Sequence, residues 1–185
     1  MKLVLASSSP RRIEILKNEG YDFLIEPAEI DESFSNELDV YTNVLNTSYK
    51  KAFEIKKNHL NDVILGCDTT VCLNNICYGK PKDELDAYKM LKSFSGKAHE
   101  VISGVCILHQ SEMINFYVKT LVYFKELSDE MIYDYIKTKE CFGKAGAYAI
   151  QGIGKSLVLK YEGELANVIG LPIKEIKPLL DKYEF

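Results

Sequence analysis

The chain opens with a short apolar run, Leu3-Val4-Leu5-Ala6, and turns abruptly polar at Ser7-Ser8-Ser9. A run of that length suits a buried strand. Pro10 follows Ser9, and Ile13, Leu16 and Lys17 continue at helical spacing as far as Gly20. This pattern predicts a strand, a loop of hydroxyls and a helix, with Ser9 accepting a bond from a free N–H, Pro10 at the first helical position and Gly20 just past the end. The segment Tyr21-Asp22-Phe23-Leu24-Ile25-Glu26-Pro27 alternates like a strand. A polar stretch from Ala28 to Asn36 carries Glu29, Asp31 and Glu32. Glu37 to His59 is the longest helical pattern, marked by Val40, Val44, Leu45, Ala52 and Phe53. Asp62 to Thr70 reads as an apolar strand running into Asp68. Ligands of open α/β sheets bind beyond the carboxyl ends of strands, so Asp68 is expected at such an end.

Further on, Val71 to Tyr78 reads as a hairpin turning at Asn74-Asn75 and delivering Gly79-Lys80-Pro81. Asp83 to Phe94 predicts an amphipathic helix with Leu85, Tyr88, Met90 and Leu91 inward, closed at Ser95-Gly96. Ala98 to His109 and Met113 to Phe124 are rich in β-branched and aromatic residues and predict a β-ribbon. Ser128-Asp129-Glu130 opens a helix through Ile136, Leu157 to Tyr161 is a strand, and a last helix starts near Pro172. Between them, Gly143 to Gly152 is small, glycine-rich and nearly uncharged, a composition that lets a ligand approach backbone closely.

Length and charge narrow the chemistry. The 185 residues suit one domain or a domain with a lobe, and 46% hydrophobic with 27% charged residues is ordinary for a globular chain. A formal net charge of -4 argues against a general nucleic-acid binder, so any phosphate site is a local basic pocket in an acidic protein. No apolar run approaches the ~20 residues of a membrane span, and the apolar N-terminal run is too short for a signal peptide, so a cytoplasmic location is expected. The five cysteines contain no C-x-x-C pair and read as reduced, mostly buried thiols rather than a zinc site. His59, His99 and His109 lie in no nucleophile motif.

The first candidate chemistry is at the N-terminus. Arg11 and Arg12 in a first helical turn oppose the helix dipole unless an anion sits with them, and free N–H groups, hydroxyls and guanidinium forks together suit a phosphate. Solvated arginines are the plain alternative. Of Lys50, Lys51, Lys56 and Lys57, at most one is expected to reach a phosphate, and Lys50 and Lys51 stand side by side with nothing to choose between them. Gln151 offers both a donor and an acceptor, as reading a base edge requires. A rival motif is Ala149-Ile150-Gln151-Gly152-Ile153-Gly154-Lys155-Ser156, close to a P-loop. It fails because Ala149 replaces the first glycine and because Leu157 to Tyr161 reads as a strand where a P-loop opens a helix.

Taken in order, SSSPRR (Ser7 to Arg12), IDES (Ile30 to Ser33), Lys51-Ala52, GCDTTV (Gly66 to Val71), GKP (Gly79 to Pro81), SGKAHEVISGV (Ser95 to Val105), GKAGAYAIQG (Gly143 to Gly152) and NVIGLP (Asn167 to Pro172) resemble the Maf-type nucleoside triphosphate pyrophosphatases. The resemblance covers nearly the whole length. It implies an α/β fold of Maf/ITPase-like type, a single domain over residues 1–185 with a mixed twisted sheet flanked by helices and two lobes around a central cleft. It implies a cytoplasmic enzyme, often a homodimer, that cuts a nucleoside triphosphate between the α and β phosphates with a divalent cation, Mg²⁺ or Mn²⁺. In this reading Asp68 is the proton acceptor and, with Glu32, the metal ligand. Arg11, Thr69 and Gln151 fall on positions tied to substrate choice; Arg12, Lys51, Lys80 and Ser7 fall on the remaining binding positions. The glutamine form of the glycine-rich loop resembles the branch acting on dTTP and UTP. Cys67, Ala149 and Gly143 depart from the usual alanine or serine, glycine and aspartate. A purine-directed ITP/XTP pyrophosphatase and a septum-associated interaction protein are the alternatives.

Overall fold

The computed structural model describes residues Met1–Phe185. Strands β1 (Leu3–Leu5), β2 (Phe23–Ile25), β3 (Val63–Leu73), β4 (Ile76–Tyr78), β5 (Ala98–His109), β6 (Glu112–Phe124) and β7 (Val158–Glu162) alternate with helices α1 (Pro10–Asn18), α2 (Val40–Lys56), α3 (Glu84–Phe94), α4 (Asp129–Lys137), α5 (Leu165–Ile169) and α6 (Ile173–Leu180). The strands form one mixed sheet in the order β2-β1-β3-β5-β6-β7, with β4 paired to β3. β1 runs parallel to β2 and β3, whereas the β3/β4 and β6/β7 pairs are antiparallel. The expected α/β class with a mixed, helix-flanked sheet is therefore the fold found.

Two compact units divide the chain. The first comprises Met1–Thr69, Ser103–Val118 and Gly170–Phe185; the second comprises Thr70–Ile102 and Lys119–Ile169. In the first, Val4, Ala6, Ala52, Ile55, Ile64, Cys106 and Leu108 form an apolar core. In the second, Phe94, Leu91, Val101, Val122, Phe124, Ile132 and Leu157 pack with Tyr135, Tyr148 and Ile150.

Several local expectations are corrected. Ser9 is the N-cap of α1 but its side chain makes no capping bond; instead its N–H donates to Ser7 Oγ at 3.2 Å. α2 starts at Val40 rather than Glu37 because Asp39 caps it, accepting from the Thr42 N–H at 2.9 Å. Its buried face is Asn43, Val44, Thr47, Ser48, Lys51, Ala52 and Ile55, which leaves Phe53 exposed and places several polar groups inward. α3 buries Ala87, Met90, Leu91 and Phe94 and exposes Leu85, which sits in the first turn outside the packed face. Four of the cysteines are buried, but Cys77 is exposed on β4. The hairpin turns at Asn74 and Asn75, both at positive φ (51° and 64°), a backbone that asparagine tolerates better than most residues.

Candidate functional site

The first unit gathers a polar cluster on top of an apolar core. β3 is buried along almost its whole length, and Asp68 lies inside it rather than at its carboxyl end. The strand continues to Leu73 because Val71, Cys72 and Leu73 pair with β4. Residues 66, 68 and 70 share one face by strand alternation. A Cβ on Gly66 would stand 2.3 Å from the Ser48 carbonyl oxygen of α2 and 2.9 Å from the Ala52 Cβ. A Cβ on Gly104 of β5 would stand 2.3 Å from the Val44 carbonyl oxygen. The two glycines let α2 settle directly on the strands. That approach brings Lys51, beside Ala52, over Asp68.

Lys51 Nζ donates to Asp68 Oδ1 at 2.9 Å and stands 3.1 Å from Glu32 Oε1. Lys51 and Asp68 are buried, while the Glu32 side chain is 55% exposed, so the cluster opens to solvent at Glu32. The exposed Lys50 lies instead near Asp31. The choice between the two lysines thus falls to Lys51. Glu32 sits on a loop that α2 itself steadies: Asn43 Nδ2 donates to the carbonyls of Ser35 and Leu38, and Asn43 Oδ1 accepts from the Ser35 N–H.

Arg12 is also buried. Its Nε donates to the Gly170 carbonyl at 2.8 Å, and its other nitrogens donate to Ser7 Oγ at 3.1 Å and Thr69 Oγ1 at 3.2 Å. Thr69 Oγ1 is 2.8 Å from Ser103 Oγ. Arg12 therefore ties the start of α1 to the Thr69 hydroxyl through neutral oxygens, which leaves its charge uncompensated by these partners. Arg11, half-buried next to it, has its pKa lowered by burial and by the Arg12 charge. Two adjacent guanidiniums, at a helix start that carries no acidic residue, favour an anion. Cys67 is fully buried; burial raises its pKa, and its thiol donates to the Gly170 carbonyl at 3.5 Å. It is a packing group.

Seven of the expected site residues, Ser7, Arg11, Arg12, Glu32, Lys51, Asp68 and Thr69, thus belong to the first unit. Lys80 and Gln151 belong to the second, and both are exposed. Lys80 follows the β3/β4 hairpin, and Gln151 sits on a turn between a short 3-10 turn at Ala145–Ala147 and another at Ile153–Leu157. The latter leads into β7, not a long helix, which disposes of the P-loop reading. Ser103 and the Gly170 carbonyl were not singled out from the sequence, although both fall inside quoted motifs. A serine within a strand and a main-chain oxygen carry no distinguishing signal until the fold brings Thr69 and Arg12 to them.

The arrangement supplies a buried carboxylate fixed by an ammonium, a second carboxylate at the solvent edge, and two guanidiniums beside hydroxyls. These are the parts needed to bind a polyanion and accept a proton. A protein of Thermosipho africanus named dTTP/UTP pyrophosphatase is 49% identical over 180 residues, spanning 97% of this chain and 92% of the relative. Proteins of the same name from Clostridioides difficile and Pyrococcus furiosus are 43% and 44% identical, spanning 99% and 97% of this chain and 95% and 94% of those relatives. The family profile described as Maf-like protein matches residues 2–183. With that profile and these relatives spanning almost its whole length, the chain belongs to the Maf-like protein family.

Proposed function

We propose that this chain hydrolyses dTTP and UTP to the monophosphate and pyrophosphate. The observation that carries the reading is the buried Lys51–Asp68 pair, with Glu32 on the same ammonium, in a chain 42–49% identical to proteins named dTTP/UTP pyrophosphatase. Asp68 accepts the proton of a water whose oxygen attacks the α-phosphorus. The bond from the α-phosphorus to the bridging oxygen breaks, and pyrophosphate leaves with the electron pair. Lys51 fixes the Asp68 carboxylate in one orientation, so no reorganisation is needed at the moment of proton transfer. Arg11 and Arg12 offset phosphate charge; Arg12, spent partly on Thr69 and Ser7, also holds those hydroxyls in place. Lys80 is assigned to the phosphates, and Thr69 and Gln151 to substrate choice.

A divalent cation fits this donor set. Asp68 and Glu32 both meet the Lys51 ammonium, at 2.9 and 3.1 Å, so a cation would share these hard oxygens with Lys51, and Mg²⁺ is commonly held by one or two carboxylates together with substrate phosphates. No third histidine, cysteine or carboxylate joins them, so the remaining ligands would come from the triphosphate and water. Bound there, Mg²⁺ or Mn²⁺ would supply neutralisation of the phosphate oxygens. A cytoplasmic location and a homodimer complete the proposal; no helix is long and apolar enough to cross a membrane.

The test is a panel of dTTP, UTP, CTP, ITP and XTP with Mg²⁺ or Mn²⁺, resolving pyrophosphate from orthophosphate. Pyrophosphate from dTTP and UTP is expected. Orthophosphate as the first product would overturn the reaction, and preference for ITP or XTP would overturn the base assignment.

A further inference from the structure

In the second unit, a tyrosine and a glutamate that no motif singled out grip the turn carrying Gln151. Tyr135, on the buried face of α4, donates its hydroxyl proton to Glu140 Oε2 at 2.9 Å and accepts from the Ala149 N–H at 3.2 Å. Glu140 Oε1 accepts from the Ile153 N–H at 3.0 Å, and Oε2 from the Gly154 N–H at 2.8 Å. The main chain is thus held two residues before Gln151 and again two and three residues after it. The backbone is also pressed against the pair. A Cβ on Gly152 would stand 1.8 Å from Glu140 Oε1, and one on Gly154 would stand 2.8 Å from the Tyr135 hydroxyl. Two glycines of the false P-loop are therefore explained by close approach to this pair. Burial alone would raise the Glu140 pKa, but the Gly154 and Ile153 N–H groups, the Tyr135 hydroxyl and Lys144 together hold it below the ordinary carboxylate value.

The Gln151 side chain itself is exposed and takes no part in the network. So the chain spends a charged, partly buried acceptor on the backbone of one turn and leaves the side chain at its tip available. We propose that Tyr135 and Glu140 are positioning residues for nucleobase choice, fixing the Ala149–Gly154 turn so that the Gln151 amide meets the base edge in one orientation. This rests on the reading of Gln151 as a base contact. Uracil and cytosine each present a donor beside an acceptor, in opposite order. An amide on a wandering turn can satisfy either, whereas one on a fixed turn favours the edge it was set for. The pair acts on base discrimination and not on the phosphate chemistry, which the first unit's cluster supplies.

The experiment measures kcat and KM for UTP and CTP on wild type, Tyr135→Phe, Glu140→Gln and Gln151→Ala, with a thermal melt of each. Tyr135→Phe keeps the ring in the core and removes only the hydroxyl. Glu140→Gln keeps the shape but points an amide N–H₂ at one of the two main-chain donors. Both are expected to lower the UTP:CTP ratio of kcat/KM about tenfold, mainly through KM for UTP. Both are also expected to speed amide exchange at Ala149 and Gly154. A loss of equal factor on UTP and CTP, tracking the melting temperature, would make the pair merely structural and overturn the inference. So would an unchanged ratio in both variants while Gln151→Ala relaxes it, an outcome that leaves the pyrophosphatase reading standing. If wild type releases no pyrophosphate from UTP, that reading fails and this inference falls with it.

Discussion

Asp68 is buried, held by Lys51 and flanked by Thr69, whose hydroxyl is engaged by Arg12 and Ser103. Replacing it with asparagine keeps the shape and removes the proposed proton acceptor. Asp68→Asn is expected to lower kcat by about 10²–10⁴-fold with little change in KM, measured by pyrophosphate release. Full activity in that variant would remove Asp68 from the chemistry. At this scale much was legible: the motifs pointed to Ser7, Arg11, Arg12, Glu32, Lys51, Asp68 and Thr69, and all belong to one unit. What was not legible was the division of labour. Arg12 was expected to serve phosphate charge, yet three of its bonds go to the protein's own neutral oxygens. The choice of Lys51 over Lys50 needed the helix rotation that sends one lysine inward and its neighbour out.

At the scale of elements, the close seat of α2 on β3 and β5 controls the site. Gly66→Ala would drive a Cβ to within 2.3 Å of the Ser48 carbonyl, so helix or strand must shift. A cost of about 1–3 kcal/mol in unfolding free energy is expected, with kcat falling as Lys51 moves off Asp68. Chemical denaturation and turnover measured on the same preparation check both. A second element carries a pH dependence. His59, after α2, stands 2.7 Å from Glu26 Oε2 and 3.0 Å from Asp62 Oδ2, and Asp62 Oδ1 in turn accepts from the Lys2 N–H at the start of β1. The hydrogen bonds to Glu26 and then Asp62 raise the His59 pKa. The folded state therefore holds the proton more tightly than the unfolded chain. The resulting stability is fully present below the unfolded value of about 6.5 and is lost as pH rises through the higher folded value. The melting-temperature gap between wild type and His59→Gln is expected to be wide near pH ~5.5 and to narrow above it. A gap that widens with pH would contradict this.

For the molecule as a whole, net charge and local charge have opposite signs where it matters. The chain carries -4, yet the proposed phosphate contacts are arginines and lysines. Recognition then rests on a local field that salt screens, so KM for UTP is expected to rise steadily between about 50 and 500 mM salt, with kcat nearly constant. A flat KM would mean that recognition does not depend on these cations. The second unit depends on its own aromatic core, in which Phe94 is fully buried against Tyr78, His99 and Phe124. Phe94→Ala is expected to cost about 3–5 kcal/mol, read by denaturant unfolding.

Hydrophobic periodicity alone determined most of the elements, including the β5/β6 ribbon and the Asn74-Asn75 hairpin, because strand and helix periods and turn chemistry are local properties. Ordered motifs determined the family, and seven of the residues they singled out fall in the first unit. Tertiary structure decided the rest. It placed Asp68 inside a strand, since pairing with β4 extends β3 beyond the point where its apolar run ends. It turned Leu85 and Phe53 outward, since a helix buries the face its neighbours offer. It also revealed what Gly66, Gly104, Gly152 and Gly154 are for: each leaves room for an atom distant in sequence, and no local pattern records which atom that will be.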